Sequence, residues 1–336
     1  MIDGFEVGQH TADGDGWLTG TSVVLARDGA VGGVDVRGGG PGTRETDLLD
    51  PSTLVERVHA VVLTGGSAYG LSAADGVMAG LEDLGVGLPM GPDPAHVVPI
   101  VPAAVIFDLG RGGTFRNRPD AAFGRAALDA ATADEPERGC VGAGTGAKCG
   151  ALKGGVGWAE ATLGTGVRVA ALVVLNAAGS AVDPRTGRLW ADREGRLGDP
   201  TPVEREALAG AGHEPTPSLN TTIGVVLTDA TLTKAQARKV AAVAHDGLAR
   251  AVAPVHSMVD GDTVFCLASG RRPLTAQPAE GWAGSVPALN DLLTGAADVF
   301  TAACLDALLR AEGRAGWRSY AELAPSAVGR EIPPTR

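Results

Sequence analysis

Ser218-Leu219-Asn220-Thr221-Thr222-Ile223 lies where a charged, proline-containing stretch gives way to the apolar run Ile223 to Leu227. Three readings of this junction compete. Asn220-Thr221-Thr222 fits the N-glycosylation sequon, which is idle in a chain whose start, Met1-Ile-Asp-Gly-Phe-Glu, has neither a basic nor an apolar signal region. The residues also suit a loop entering a β-branched strand. The third reading is chemical: cleavage before Thr221 puts a hydroxyl nucleophile and a free α-amine on one residue. An α-amine, with an ordinary pKa of about 7.7–8.0, takes the hydroxyl proton near neutral pH without a histidine.

Downstream, Met258-Val259-Asp260-Gly261-Asp262-Thr263 sets two carboxylates two residues apart just before a second β-branched run. In extended backbone Asp260 and Asp262 point to one side, where they can orient a threonine amine and hydroxyl; an Asx turn is the plain alternative. The histidines at 10, 59, 96, 213, 245 and 256 form no i, i+4 pair and no H-E-x-x-H, so no metal site is legible. His256, four residues before Asp260, reads as a solvated loop histidine or a partner of that acid. Gly65-Gly66-Ser67-Ala68-Tyr69-Gly70 sits where a nucleophile elbow would, but G-x-S-x-G requires glycine where Tyr69 stands. Its glycines can instead let backbone line a pocket. Gly142-Ala-Gly-Thr-Gly-Ala147 matches the letters of a dinucleotide fingerprint without the strand before it or the helix after it, and reads as close backbone packing.

Composition narrows the class. The 336 residues carry 28 basic and 39 acidic side chains, a net charge of −11, with 44% hydrophobic and 4% aromatic residues. Such a chain is too apolar for disorder and too acidic for a nucleic-acid or anionic-membrane surface. Its longest uninterrupted apolar run, Val97 to Phe107, is too short to span a bilayer. A cytoplasmic enzyme is expected. Fifty glycines and 21 prolines without a G-X-Y period announce tight turns and close backbone approaches. Cys140, Cys149, Cys266 and Cys304 lack C-x-x-C spacing and read as small buried hydrophobes.

Thr21–Ala26 and Ala30–Val36, separated by Arg27-Asp28-Gly29, predict a hairpin with an Asp-Gly turn. Val58–Leu63, Ile100–Phe107 and Val167–Leu175 predict buried strands, and Leu71–Leu84 and Ala121–Ala131 helices. Residues 185–219, with 11 charged residues and 4 prolines, read as an exposed polar linker. Then follow a strand at Ile223–Leu227, a helix at Lys234–Val252, a strand at Thr263–Ala268 and a helix at Pro287–Ala311. The tail from about Ser326 reads as unstructured.

Several of these segments occur together, in order, in one known family. Val62-Leu-Thr-Gly-Gly-Ser-Ala-Tyr-Gly-Leu-Ser-Ala-Ala-Asp-Gly76, Val141-Gly-Ala-Gly-Thr-Gly146, Leu152-Lys-Gly-Gly155, Val174-Leu-Asn176, Asn220-Thr-Thr-Ile223 and Val259-Asp-Gly-Asp-Thr263 resemble the self-processing aminopeptidases and amidases among the N-terminal-nucleophile hydrolases. That group holds the L-aminopeptidase/D-esterases, the β-peptidyl aminopeptidases and the 6-aminohexanoate-oligomer (nylon oligomer) hydrolases. The resemblance spans roughly Leu18 to Arg310.

The resemblance implies an α/β (α+β) fold, a four-layer α-β-β-α sandwich forming one domain over residues 1–336. It implies a precursor that cuts itself between Asn220 and Thr221 into fragments 1–220 and 221–336, which stay associated. Thr221 would attack amide or ester carbonyls through an acyl-enzyme, Asn176 would stabilise the oxyanion, and Tyr69, with Gly66 and Ser67, would line the substrate pocket. Lys153 would be the active-site lysine, with Lys148 close enough in sequence to compete for that role. No cofactor is implied; substrates would be small amides or peptides, and four αβ pairs would assemble. The aminopeptidase branch has a serine nucleophile with serine and glutamate downstream, so Thr221 with Asp260 and Asp262 resembles the nylon-oligomer branch. Ornithine acetyltransferases share the threonine chemistry, but their lysine-glycine-serine-glycine-methionine-isoleucine run is absent. An aminopeptidase or esterase acting on N-terminal amino acid residues, an acyltransferase of the same superfamily and a non-catalytic binding protein are the remaining alternatives.

Overall fold

The structure, a computed structural model, describes residues 1–211, 219–275 and 282–329. Its main strands are β1 (Glu6–Gly14), β2 (Trp17–Val36), β3 (Val58–Thr64), β4 (Ala103–Val105), β5 (Gly155–Thr162), β6 (Arg168–Leu175), β7 (Ile223–Ala230) and β8 (Thr263–Arg272). Its main helices are α1 (Ala73–Asp83), α2 (Ala121–Asp129), α3 (Pro202–Gly210), α4 (Lys234–Ala249) and α5 (Trp282–Arg310).

The strands run in the order β5-β6-β7-β8-β2-β3-β4, with β1 also on β2 and Thr43–Arg44 at the far edge. One strand joins the two halves. Thr21–Leu25 of β2 pair with β3, and Val31–Val36 pair with β8. The expected hairpin at Arg27-Asp28-Gly29 is therefore corrected to a single 20-residue strand. Its register against β3 shifts between Leu25 and Ala30, and Gly29 adopts a φ of 73°, a conformation glycine takes without a Cβ clash. The two apolar runs do not pair with each other because each is claimed by a different sheet.

Alternation along the strands then sorts side chains into layers. Between the sheets, Val24, Val61, Leu63 and Ile106 meet Leu172, Val174, Val225, Leu227 and Phe265. On one outer face Val23, Leu25, Ala60 and Val62 pack on Ala74, Val77 and Leu81 of α1 and Leu128 of α2. On the other, Val173, Val226, Val264 and Cys266 pack on Val240, Ala244 and Leu248 of α4 and Leu292, Phe300 and Leu308 of α5. The layers are helix, sheet, sheet, helix, as the resemblance implied.

Three further expectations need correction. In Ile100–Phe107 only Ala103–Val105 is regular strand, because Pro102 has no amide hydrogen for a ladder, although Ile100 and Pro102 still offer their carbonyls to His59 and Val62 of β3. Residues 185–219 are not wholly exposed linker: Leu189, Ala191, Leu197 and Leu208 are buried in the core. Thr201-Pro202-Val203-Glu204 closes a capping box that starts α3; residues 212–218, Ser218 among them, lie outside the described residues. Pro325–Val328 of the tail form a helical turn, and residues 330–336 lie outside the described ones. Ser285–Arg310 of α5 is long and apolar enough to cross a bilayer, yet 78% of its most apolar window is buried inside the protein, as a core helix requires. Cys149, Cys266 and Cys304 are buried and Cys140 partly exposed, all as free thiols.

Candidate active site

Register brings the junction at Thr221 to its chemistry. In antiparallel β6 and β7 Val174 pairs with Ile223, so the next residues, Asn176 and Thr221, fall opposite each other, and Thr221 N–H donates to the Asn176 backbone oxygen at 2.6 Å. In parallel β7 and β8 Ile223 pairs with Thr263. That alignment sets Thr222 beside Asp262, and Thr222 N–H donates to Asp262 Oδ1 at 2.8 Å. Asn220 N–H reaches Val259 O at 3.1 Å. Parallel strands need a crossover, and α4 supplies it, started by a capping box between Thr233 and Gln236.

Asn220, Thr221, Thr222, Asn176, Asp260 and Asp262 are all buried, at no more than 4% exposure. The Thr221 hydroxyl donates to the carbonyl oxygen of Asn220. The two aspartates act on different strands. Asp262 also accepts from His256, through the backbone N–H at 3.2 Å and the imidazole Nδ1 at 2.8 Å. Asp260 Oδ1 accepts from Ala178 N at 2.9 Å, two residues beyond Asn176, while Oδ2 accepts from the Ser257 hydroxyl. One acid thus holds the segment around Thr222 and the other the segment around Asn176. Gly261 between them is sterically required, since a Cβ there would lie 2.6 Å from Gly40 O and 2.9 Å from Thr221 Oγ1. Residues 37–40 wrap this turn, with Arg37 N donating to Asp262 O and Gly40 N to Asp260 O.

Asn176 is oriented by what its oxygen accepts. Oδ1 takes Arg111 Nη1 at 2.6 Å and Lys148 N at 3.0 Å. Its Nδ2 is buried without a hydrogen-bond partner among the described residues, leaving a donor ready for new charge on oxygen. The Gly142–Ala147 turn opens with a short 3-10 segment, Gly142–Gly144, in which a Cβ on Gly144 would lie 2.4 Å from Val156 N. It packs as close backbone and delivers Lys148 N and Gly146 O to Asn176 and Arg111.

The remaining expected residues lie at different removes from this centre. Lys153 Nζ donates to Gly144 O, Ala147 O and Gly154 O at 3.2, 2.7 and 2.8 Å, so its three protons brace the turn that orients Asn176. Burial pulls its pKa down to about 8, with Arg111 nearby acting in the same direction. Lys148 is buried, its ammonium 5.8 Å from the Trp317 ring centre. Gly66 N donates to Asp108 Oδ1 at 2.7 Å; burial raises the Asp108 pKa. Arg111 N in turn donates to Asp108 O, tying the Gly65–Tyr69 turn to the centre. Ser67 has a φ of 51°. Tyr69 is 55% exposed, with Arg118 3.7 Å from its ring centre.

Arg111 was missed by reading the sequence, and no local pattern marks it. His256 is not a solvated loop residue: its side chain is 17% exposed and its acid is Asp262 rather than Asp260. Among the described residues no cluster of histidine, cysteine and carboxylate side chains could hold a metal ion.

This layering is shared with solved hydrolases. The structure superposes with a TM-score of 0.68 on the L-aminopeptidase D-Ala-esterase/amidase from Ochrobactrum anthropi, described as a new variant of the Ntn hydrolase fold, at 20% identity over 93% of this chain and 85% of that one. On the Burkholderia sp. β-aminopeptidase the TM-score is 0.71, at 20% identity over 96% and 90% of the two chains. The chain belongs to peptidase family S58, whose model matches residues 2–320. It is similar to an uncharacterized aminopeptidase of Mycobacterium tuberculosis, 49% identical over 94% of this chain and 93% of the relative. It is also similar to the 6-aminohexanoate-oligomer endohydrolase of Kocuria sp., 32% identical over 77% and 72% of the two. The protein is a hydrolase of amide bonds, as its peptidase family is.

Proposed function

We propose that the chain is made as a precursor, cuts itself between Asn220 and Thr221, and uses the freed Thr221 to hydrolyse small amides, short peptides or 6-aminohexanoate oligomers. In processing, Thr221 Oγ adds to the Asn220 carbonyl carbon, the C–N bond breaks, and the departing nitrogen takes the hydroxyl proton. Water then hydrolyses the ester, leaving an Asn220 carboxylate and a Thr221 amine. In turnover that amine accepts the hydroxyl proton and returns it to the leaving nitrogen, and water releases the acyl group from Oγ.

The observation that carries this reading is Asn176. Its backbone oxygen takes the Thr221 N–H at 2.6 Å, while its Nδ2, without a partner among the described residues, suits the oxyanion of both steps, a donor of the kind worth roughly 10²–10³ in kcat. Asp262 and Asp260 hold the strand ends that carry Thr221 and Asn176, Lys153 braces the turn behind them, and Tyr69, Gly66 and Ser67 line the approach. A cytoplasmic assembly of four αβ pairs belongs to the same proposal. Intact-mass measurement with amino-terminal sequencing tests it: fragments 1–220 and 221–336 are expected, the second beginning Thr221-Thr222-Ile223. Thr221→Ala should remain whole and inactive, and a processed or active Thr221→Ala protein refutes the proposal.

A further inference from the structure

Arg111 joins the acyl side of the peptide bond ahead of Thr221 to Asn176. Nη1 donates to Asn176 Oδ1 at 2.6 Å and to Gly146 O at 2.7 Å. Nη2 donates to the side-chain oxygen of Asn220 at 2.8 Å and to Leu219 O at 3.5 Å. Asn220 is the acyl residue of the Asn220–Thr221 bond, and it is 3% exposed. The precursor therefore shows what an acyl residue meets beside Thr221: an enclosed slot with a guanidinium at its end. The ring of Trp317 lies 5.9 Å from the Arg111 guanidinium and 5.8 Å from the Lys148 ammonium, so two cations share this wall.

We propose that Arg111 selects substrates whose acyl residue carries a short oxygen acceptor, a carboxamide or carboxylate placed as in asparagine or aspartate. The inference rests on self-processing at Thr221, because a substrate carbonyl can reach the hydroxyl only where Asn220 has left. Departure of residues 219 and 220 removes the two acceptors that Nη2 contacts there. A substrate carbonyl seated against Thr221 places its own side chain in the vacated slot. A carboxamide restores the lost hydrogen bond and a carboxylate makes it charge-assisted. An apolar side chain of the same size cannot replace that hydrogen bond, and the loss of a matched hydrogen bond is how sites built for it discriminate against isosteres.

The test compares asparaginyl, aspartyl and leucyl p-nitroanilides, which share a leaving group, on purified enzyme whose cut is verified by mass. The asparaginyl compound should exceed the leucyl one in kcat/KM by about tenfold or more. In Arg111→Lys that ratio should fall toward one, since a single ammonium cannot bridge Asn176 and the acyl residue together. Loss of Asn176 support affects both substrates and cancels in the ratio. Full-length Asn220→Asp and Asn220→Leu give a second readout: cutting should persist in the first and slow about tenfold or more in the second. A cut wild-type enzyme with a ratio within about twofold, or an Arg111→Lys enzyme that keeps its preference, overturns the selectivity and leaves the Thr221 nucleophile standing. An uncut chain that hydrolyses these compounds overturns both.

Discussion

Thr222 donates its amide hydrogen to Asp262 Oδ1 at 2.8 Å across 40 residues of sequence. The contact exists because β7 and β8 run parallel with Ile223 opposite Thr263, so the residues just outside the two strands meet. Thr221, Asn176, Asp260 and Asp262 all sit on extensions of such pairings past the ends of β6, β7 and β8.

Asp262→Asn should therefore act on the cut rather than on the fold alone. Asp262 accepts three N–H donors, and a carboxamide turns a donor toward one of them, at a cost of about 1–3 kcal/mol. Fragment appearance on a denaturing gel should slow by about a hundredfold or more, with a folded circular dichroism spectrum. Wild-type cutting and turnover in this variant would remove Asp262 from the mechanism.

Gly261→Ala tests a close approach. The added methyl carbon meets Gly40 O at 2.6 Å and Thr221 Oγ1 at 2.9 Å, so either the 37–40 loop or the threonine rotamer must move, at a strain of about 1–3 kcal/mol. Cutting and amidase activity should both drop while Thr221 itself is unchanged. Unaltered rates would mean that the hydroxyl has freedom this contact denies it.

His245 predicts the acid limb of stability. It is fully buried, its Nε2 meets Asp35 O at 3.0 Å, and its ring lies edge-on to His256 at 4.8 Å. Burial lowers its pKa to about 4, with Asp35 opposing and His256 and Arg37 reinforcing the shift. Below about pH 6.5 the unfolded chain takes up a proton that the folded protein refuses until about pH 4. Stability should therefore fall across that window, by up to about 3 kcal/mol from this group. In denaturant titrations His245→Gln should flatten that fall; an identical pH dependence in both proteins contradicts the assignment.

Lys153 has the same sign in alkali. Its pKa is lowered to about 8 by burial, against about 10.4 in an unfolded chain, so between those values the unfolded state holds the extra proton. Its contribution to stability should rise with pH through that window, by about 1–3 kcal/mol. The stability difference between wild type and Lys153→Met should widen in favour of wild type from pH 8 to 10. Lys153→Met should also slow turnover, because the Gly144 and Ala147 carbonyls lose their donor and Lys148 N is no longer held on Asn176.

What was legible along the chain was local. Unbroken β-branched runs such as Val58–Leu63 and Ile223–Leu227 specify strands wherever they are placed, and the ordered motifs from Val62 to Thr263 pointed to the four layers and to Thr221, Asn176, Asp260 and Asp262 together. The hairpin reading of Thr21–Val36 failed because an Asp-Gly pair marks a turn and a bulge alike, and only the competing strands β3 and β8 choose between them. Helix α3 announced itself through Thr201-Pro202-Val203-Glu204, a signal outweighed by the charge and proline around it.

Arg111 and His256 belong to tertiary structure alone. Nothing in Gly110-Arg111-Gly112 distinguishes a surface arginine from one that reaches Asn176 and Asn220, 65 and 109 residues away, and His256 finds Asp262 only when the backbone turns at a φ of 56°. The sequence by itself determined which residue types are available and which short segments extend or coil, because those preferences come from side-chain shape and the period of apolar positions. Folding decided which strand ends coincide. Register sums hydrogen bonds over whole strands, so the positions of Thr221, an oriented amide and two carboxylates are set by pairings far longer than any motif that names them.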